Sequence, residues 1–514
     1  MSGYLRRLAT TGAAYTAASI LSKVIAVALL PLYTRYLSTE DYGVAEVLFS
    51  AVVFASIVVR FGLIEAILRF YYRDDEDPDR VVASTFAGLF WFSTVGALVA
   101  LPFAGPLSEL LVDESAPELV RIAIGGLWVL TMWELMLTLF RLEERARAFF
   151  LTTILNVIAA IALTVVLVVG LEEGARGLLL GSYATGAAFV LALIALQWRR
   201  LSLRFDPALL RRLFRFGLPT MPAEVSLYAL NFVDRLIILR SVGAAEAGLY
   251  SLAVKFAQAV NVLVRGFQLA WPPLAYSIRD DEEARRAYAV VVTAFTALCG
   301  FIVVGMWLEA RWIVRLLADP KFFDSYEAIG PLTLGAALYG VYLALVVILG
   351  RTGKTQYNFP VTIVATIANV ILNLILVPAW GIVGAGVALI VSYLIVIVLI
   401  YGVSRRIFPI PWQWGRLTVV VGAAAILVAA GELLLPTEGA AGFLSRLAVF
   451  CLYPVILWFG GAVRRGERAQ VRALISEGNL RDRLAAMRSE RASESDEQAR
   501  AEELYEQEIR DREI

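Results

Sequence analysis

Apolar stretches, each more than twenty residues long, follow one another along all but the last fifty or so residues of this 514-residue chain. They run at roughly 11–35, 43–72, 81–104, 118–140, 149–170, 177–198, 214–239, 247–276, 287–308, 328–350, 358–378, 382–403, 415–435 and 442–463. About 20 apolar residues carry a helix across the hydrocarbon core of a bilayer. In lipid every backbone N–H and C=O must be satisfied internally, so only helices or a closed barrel can span. A barrel needs alternating strands of about ten residues, whereas these runs are continuous. The pattern therefore predicts an all-α polytopic membrane protein of about fourteen transmembrane helices.

Composition narrows the function. The chain is 59% hydrophobic and 18% charged, against roughly a quarter charged in soluble domains. Its net charge of +1 gives no field for nucleic acid. It contains no histidine, which removes Ser-His-Asp and Cys-His catalysis and histidine-bearing zinc sites. Cys299 and Cys451 both lie in apolar runs, so neither a disulfide framework nor a metal cluster is expected. No cofactor and no enzymatic activity are predicted. The acidic run from Asp74 to Asp79 is read as a solvated loop, because metal-dependent sugar-transfer chemistry would need a folded domain that eight residues cannot supply.

Orientation follows from the basic residues. With the N-terminus inside, one set of loops holds Arg73 and Arg80, then Arg141, Arg145 and Arg147, then the cluster from Arg199 to Arg215. The opposite loops carry fewer, among them Arg35, Arg176, Arg240, Arg311, Arg315 and Arg446. Segment one follows Arg6 and Arg7 and is long enough to span, so it reads as an anchor and not a cleaved signal. The expectation is a multi-pass protein of the cytoplasmic (inner) membrane with both termini cytoplasmic. The mixed-charge tail from Arg464 reads as a solvated helix or partly disordered segment.

The chain also repeats itself. A shift of 205 pairs Gly12 with Gly217, Arg35 with Arg240, Asp41 with Glu246, Gly43 with Gly248 and Arg60 with Arg265. A shift of 210 pairs Arg141 with Arg351, Gly174-Ala175 with Gly384-Ala385, and Ser182-Tyr183 with Ser392-Tyr393. Six spans per repeat insert both halves in the same sense, related by an axis along the membrane normal. The expected domains are an N-terminal lobe at 1–198, a cytoplasmic linker at 199–213, a C-terminal lobe at 214–403, two extra helices within 404–463, and the tail at 464–514. Two pseudo-symmetric six-helix lobes around a central cavity is the plan of a transporter.

Polar residues mark that cavity. On segment seven, Glu224, Tyr228, Asn231 and Arg235 recur at helical steps, and on segment eight Gln258, Asn261 and Arg265 do so, flanked by Lys255. Segment eleven adds Thr362, Thr366, Asn369 and Asn373; segment one adds Lys23, and segment two Ser56 and Arg60. The Asn and Thr stripes fit either interhelical hydrogen bonding or a cavity wall. Charges inside spans face a bundle interior or a wet cavity, and cations there suit an anionic substrate. Glu134, Glu224 and Asp234 read as salt-bridge partners or as a coupling-ion site, with Arg235 among them. Pro219 and Pro222 fall in the first turns of segment seven and mark a hinge; Pro31 and Pro272-Pro273 break segments one and eight in a comparable way.

The stretch GLPTMPAEVSLYALNFVDRLIILRSVGAAEAGLYSLAVKFAQAV, with Gly217-Leu218-Pro219, Asn231-x-x-Asp234-Arg235 and Gly248-Leu249-Tyr250-Ser251-x-Ala253-x-Lys255, resembles the polysaccharide-transporter family. LPLYTRYLSTEDYGVAEVL and GLIEAILRFYY in the opening half agree. This family is the O-antigen-type lipid flippase branch of the multidrug/oligosaccharidyl-lipid/polysaccharide exporter superfamily. The resemblance extends to about residue 463 and implies fourteen spans. It implies movement of an undecaprenyl-diphosphate-linked oligosaccharide to the outer leaflet by alternating access, for cell-surface polysaccharide. It implies diphosphate binding by Lys23, Arg60 and Arg265, with Lys255 nearby, and a role for the last two helices in holding the lipid tail. Partners implied are the lipid-linked oligosaccharide, membrane lipids, a coupling cation (H+ or Na+) and other polysaccharide-assembly membrane proteins. The rival readings are a lipid II flippase and an ion-coupled multidrug exporter of the same superfamily. A membrane-embedded polymerase or ligase is disfavoured because no long external loop is present.

Overall fold

The computed structural model describes residues 21, 25–73, 76–112, 116–464 and 468, with residues 223, 227, 230, 231, 269 and 355 described by backbone alone. Among the described residues all regular structure is helical. Ten helices are long and apolar enough to cross a membrane, and an eleventh span results if Ala244–Ala257 and Ala259–Ser277 count as one bent helix. The apolar runs form helices because nothing interrupts them, and they end where helix stops are encoded. Ser38 caps the Thr39–Arg60 helix by accepting from the Asp41 N–H at 2.9 Å. Phe61 and Gly62 close it in left-handed conformation, at φ 48° and 71°.

Among the described residues fewer than fourteen separate apolar spans are counted, for three physical reasons. Segment one falls largely outside the described residues; within them, Pro31 opens a short helix, Leu30–Tyr36. Segment seven divides. Pro207–Gly217 forms its own helix, burying Leu209, Leu210 and Leu213, and absorbs the expected start at 214. The following Met221–Ser241 helix carries Glu224, Asp234, Arg235 and Arg240, too many charges to register as apolar. Segments eleven and twelve run together as Asn358–Ile407, separated only by the non-helical Gly381 at φ 55° and ψ −139°.

Two proline expectations are also corrected. Pro219 lies not in a first helical turn but in the three-residue turn between Pro207–Gly217 and Met221–Ser241, with Pro222 in the first turn after it. Pro272 and Pro273 do not break segment eight. They sit inside Ala259–Ser277, and the 44° bend falls at Gln258 instead.

The described residues up to Tyr453 form one compact unit. One apolar core there joins Thr39–Arg60 to Pro117–Leu142, Gly174–Gln197 and Ala244–Ala257; a second lies among Asp281–Leu317, Tyr326–Arg351 and Asn358–Ile407. A third packs Leu63–Phe70 and Pro78–Ala100 against Leu209, Leu210 and Leu213. Outer helices turn apolar residues away from these cores: Leu151, Leu155 and Ile158 are exposed at helical spacing, as a lipid-facing stripe is. In the second unit, from Pro454, the Arg468 guanidinium lies over the Trp458 ring.

Outside the spans, the Pro207–Gly217 helix is tied down by charge. Arg80 pairs with Asp206, Arg212 with Glu76, and Arg200 with both Asp79 and Glu143. The acidic loop is thus not wholly solvated: Glu76 and Asp79 are ion-paired, and Asp77 caps the next helix.

Candidate functional site

Two helices from the two halves of the chain lie antiparallel and exchange polar contacts along their length. On Thr39–Arg60, Glu46, Ser50 and Arg60 face Met221–Ser241. At one end Arg60 donates to Glu224 at 2.9 Å. In the middle the Phe54 and Phe232 rings stack at 5.2 Å. At the other end Arg235 donates to the Ser50 hydroxyl at 2.5 Å. Residue numbers rise on one helix as they fall on the other, and Glu224 and Arg235 lie eleven residues, or three turns, apart.

Each end is a network. The Arg60 guanidinium also stands 4.0 Å from Glu134, which Arg141 approaches to 3.9 Å. At the other end Lys255 donates to Glu46 at 2.6 Å and lies over the Tyr42 ring, and Arg235 is 4.0 Å from Glu46. Tyr228 sits beside Ser50 and Arg235. Arg60, Arg235 and Glu46 are all buried. Every one of these charges has an opposite charge or a hydroxyl on another helix, as buried charge requires.

Arg265 differs. It is exposed, and among the described residues no carboxylate lies within salt-bridge distance of it. Its stripe is interrupted: Gln258 occupies the bend and is exposed, and Asn261 is half-buried with its N–H donating to the Gln258 carbonyl. Lys23 and the Asn231 side chain lie outside the described residues.

Asp234 faces away from the seam. It accepts from Tyr250 at 3.2 Å and from Asn373 at 2.8 Å, and among the described residues no cation is within salt-bridge distance. Asn373 donates as well to the carbonyl and side chain of Asn369. All three of Asp234, Asn369 and Asn373 are buried. Ser56 is buried too, and its hydroxyl donates to the Val53 carbonyl.

The structure therefore brings Arg60, Glu134, Glu224, Tyr228, Arg235 and Lys255 to one seam, Asp234, Asn369 and Asn373 to a second cluster, and leaves Arg265 apart. Sequence reasoning missed Glu46, Ser50 and Tyr250. Glu46 and Ser50 stand four apart inside an apolar run, which is the same signal that singled out the stripes.

A family model described as polysaccharide biosynthesis protein matches residues 9–278. The succinoglycan biosynthesis transport protein ExoT of Rhizobium meliloti (strain 1021) is 24% identical over 320 residues, which is 60% of this chain and 62% of that protein. The chain thus aligns with less than two thirds of that relative's length. Among solved structures, the lipid II flippase MurJ in an inward closed conformation superposes with a TM-score of 0.68 at 16% identity, over 86% of this chain and 97% of that one. An inward-facing multidrug resistance MATE family transporter of the MOP superfamily superposes with a TM-score of 0.63 at 18% identity, over 75% and 94%. Both show the fold.

Proposed function

We propose, from the premise that this chain belongs to the polysaccharide biosynthesis protein family, that it is a transporter moving a polyprenyl-diphosphate-linked oligosaccharide across the cytoplasmic membrane by alternating access. The observation that carries this reading is the seam. Arg60–Glu224 and the Glu46, Ser50, Lys255 and Arg235 cluster join opposite halves of the chain at the two ends of one helix pair. Two latches at opposite ends of an interface are what two lobes need in order to open on one side while held on the other.

With the N-terminus inside, Arg60 lies at the cytoplasmic end and Glu46 at the outer end. An entering diphosphate meets Arg265, which has no competing carboxylate among the described residues, and then draws Arg60 from Glu224. Neutralising these cations favours closure beneath the substrate and release of the outer latch. Lys23 and Lys255 extend the cationic path, Glu134 and Glu224 hold Arg60 when no substrate is present, and Pro219 and Pro222 sit where the chain must bend. Asp234, with no cation within salt-bridge distance among the described residues, is a carboxylate available to a coupling cation, H+ or Na+. The last two helices hold the lipid tail, and 1–198 and 214–403 move as the two lobes.

The test is made in the native host after deletion or depletion of the gene. Polyprenyl-diphosphate-linked sugars are extracted and assigned to a leaflet. Build-up on the cytoplasmic leaflet with loss of one surface glycan is the expected result. Unchanged lipid-linked pools with raised drug accumulation would replace this reading by a drug exporter, and build-up of the peptidoglycan precursor alone by a lipid II flippase.

A further inference from the structure

A cavity of about 230 Å³ lies within the second half of the chain, between the Tyr326–Arg351 helix, both arms of Asn358–Ile407 and Ser226 of Met221–Ser241, the helix that also carries one side of the ionic seam. Its lining holds no charged side chain. One wall is aromatic: the Tyr339 ring stands 5.4 Å from Tyr393 and 6.1 Å from Tyr342, the three presenting edges and faces to the space. Facing them, Thr362, Thr366 and Asn369 follow at helical spacing. Thr362 and Thr366 donate their hydroxyl protons to backbone carbonyls, which leaves oxygen lone pairs to accept. Asn369 is fully buried, and its Nδ2 has no acceptor. A buried donor left unpaired is costly, and a ligand oxygen removes that cost.

These walls specify a chemistry. Aromatic faces carry negative quadrupole charge and attract C–H groups; hydroxyl oxygens and a free amide N–H call for a ligand rich in hydroxyls. The absence of charge in the lining selects a neutral one. The volume is comparable with that of roughly seven or eight liquid waters, which leaves room for one six-membered ring. Arg265, with no carboxylate within salt-bridge distance among the described residues, is near enough for its charge to act on Tyr339.

We propose that this cavity takes one neutral pyranose ring of the substrate, the sugar joined to the diphosphate, while the diphosphate stays outside it on Arg265. The ring's C–H face lies on Tyr339 and Tyr393, and its hydroxyls meet Thr366 and the Nδ2 of Asn369. The inference rests on the diphosphate-lipid reading above and adds which half of the chain reads the sugar.

The experiment measures binding to the full-length protein in lipid nanodiscs. The probes are bare undecaprenyl diphosphate and the same lipid carrying a single glucose, galactose or N-acetylglucosamine. At least one sugar-bearing lipid should bind about tenfold more tightly than the bare lipid, the worth of one or two well-made contacts. Tyr393→Leu and Thr366→Val should each remove most of that gain and leave bare-lipid binding unchanged, whereas Arg265→Gln should weaken all four lipids. A variant that also loses the bare lipid has lost its fold, and the other variant then decides. Equal binding of all four lipids by the wild type, or a gain that survives both substitutions, overturns the sugar site and leaves the diphosphate reading standing. Binding of none of the four overturns both.

Discussion

Gly43 and Gly248, equivalent positions of the internal repeat, touch each other. A Cβ on Gly43 would stand 2.7 Å from the backbone nitrogen of Gly248, and one on Gly248 would stand 3.2 Å from that of Gly43. Equivalent residues in reciprocal contact are the mark of an isologous interface on a two-fold axis. The carbonyls of Ala244 and Thr39 come closer still to those hypothetical carbons, at 2.0 and 2.1 Å. These are backbone atoms, so nothing larger than glycine fits without separating the two helices.

Gly43→Ala or Gly248→Ala should therefore lower stability by about 1–3 kcal/mol, the usual cost of overpacking, and should part the helices at this end. In a Cys299→Ala, Cys451→Ala background, Ala247→Cys, at a position fully buried in the parent, should become reactive to maleimide when Gly43→Ala is added. Unchanged labelling with unchanged melting would show that the contact is soft.

At the opposite end, Arg60 and Glu224 are unequally buried, with side chains 9% and 36% exposed. A charge stranded in the interior costs more than one that water reaches. Glu224→Gln, which leaves the buried Arg60 with Glu134 at 4.0 Å in place of its close carboxylate, should thus destabilise by about 1–3 kcal/mol, and Arg60→Gln, which frees a partly hydrated carboxylate, by less than about 1 kcal/mol. Transport should show the reverse order, with Arg60→Gln the more damaging. Thermal unfolding in detergent and a reconstituted flipping assay read the two; a matching rank order in both would make Arg60 a structural residue only.

Glu46 serves two cations at once, with Lys255 at 2.6 Å and Arg235 at 4.0 Å. Glu46→Gln should cost about 3–5 kcal/mol, the range for breaking a buried pair. Adding Lys255→Met removes one stranded charge and should recover about 1 kcal/mol or more, which a double-mutant cycle measures as coupling. Additive losses would show that the two residues do not interact.

What was legible in the sequence follows from what spacing can report. Apolar run length placed the spans, and the shift of 205 pairs Gly43 with Gly248 before any contact is seen. Helical spacing put Glu224 and Arg235 on one face. Spacing is silent on what that face meets: Arg60 and Glu224 are 164 positions apart, and Lys255 and Glu46 are 209 apart. Asp234 and Arg235 are adjacent in sequence and so point to different neighbours, one to Tyr250 and Asn373, the other to Ser50. The bend at Gln258 was hidden because prolines fourteen and fifteen residues later carry the stronger local signal, yet both are accommodated inside a helix.

Asp206 offers a pH-dependent element outside the spans. Its carboxylate accepts from the backbone N–H groups of Leu209 and Ala208 and pairs with Arg80. The Leu209 N–H first, then that of Ala208 and the Arg80 guanidinium, hold its pKa below the usual aspartate range, against the opposing effect of desolvation. A depressed pKa contributes stability that is fully present above the unfolded value, about 4, and is lost as pH falls through the lower folded value. The Pro207–Gly217 helix should keep its amide protection at pH 7 and fray below about pH 4. Asp206→Ala should fray it at both. Hydrogen exchange of that helix checks the point, and pH-independent protection in the parent would show that the cap is not the controlling group.

The charge on the proposed substrate makes the membrane potential a second lever. A diphosphate with about two negative charges, moved outward across an inside-negative membrane, gains roughly 4–5 kcal/mol per 100 mV if it crosses the whole field. The loaded step realises only part of this, because Arg265, with no carboxylate within salt-bridge distance among the described residues, moves its positive charge outward with the substrate; the rest is realised when the empty carrier returns. Collapsing the potential in proteoliposomes should slow net flipping by roughly two- to tenfold, a fraction of that full-field value. Arg265→Gln removes the compensating charge, so the transport that remains should depend on potential more steeply than in the parent. Flipping rates measured at several clamped potentials give both slopes. A flat parent profile would mean that the step limiting flipping moves no net charge through the field, and a shallower profile in the variant would place Arg265 outside the field.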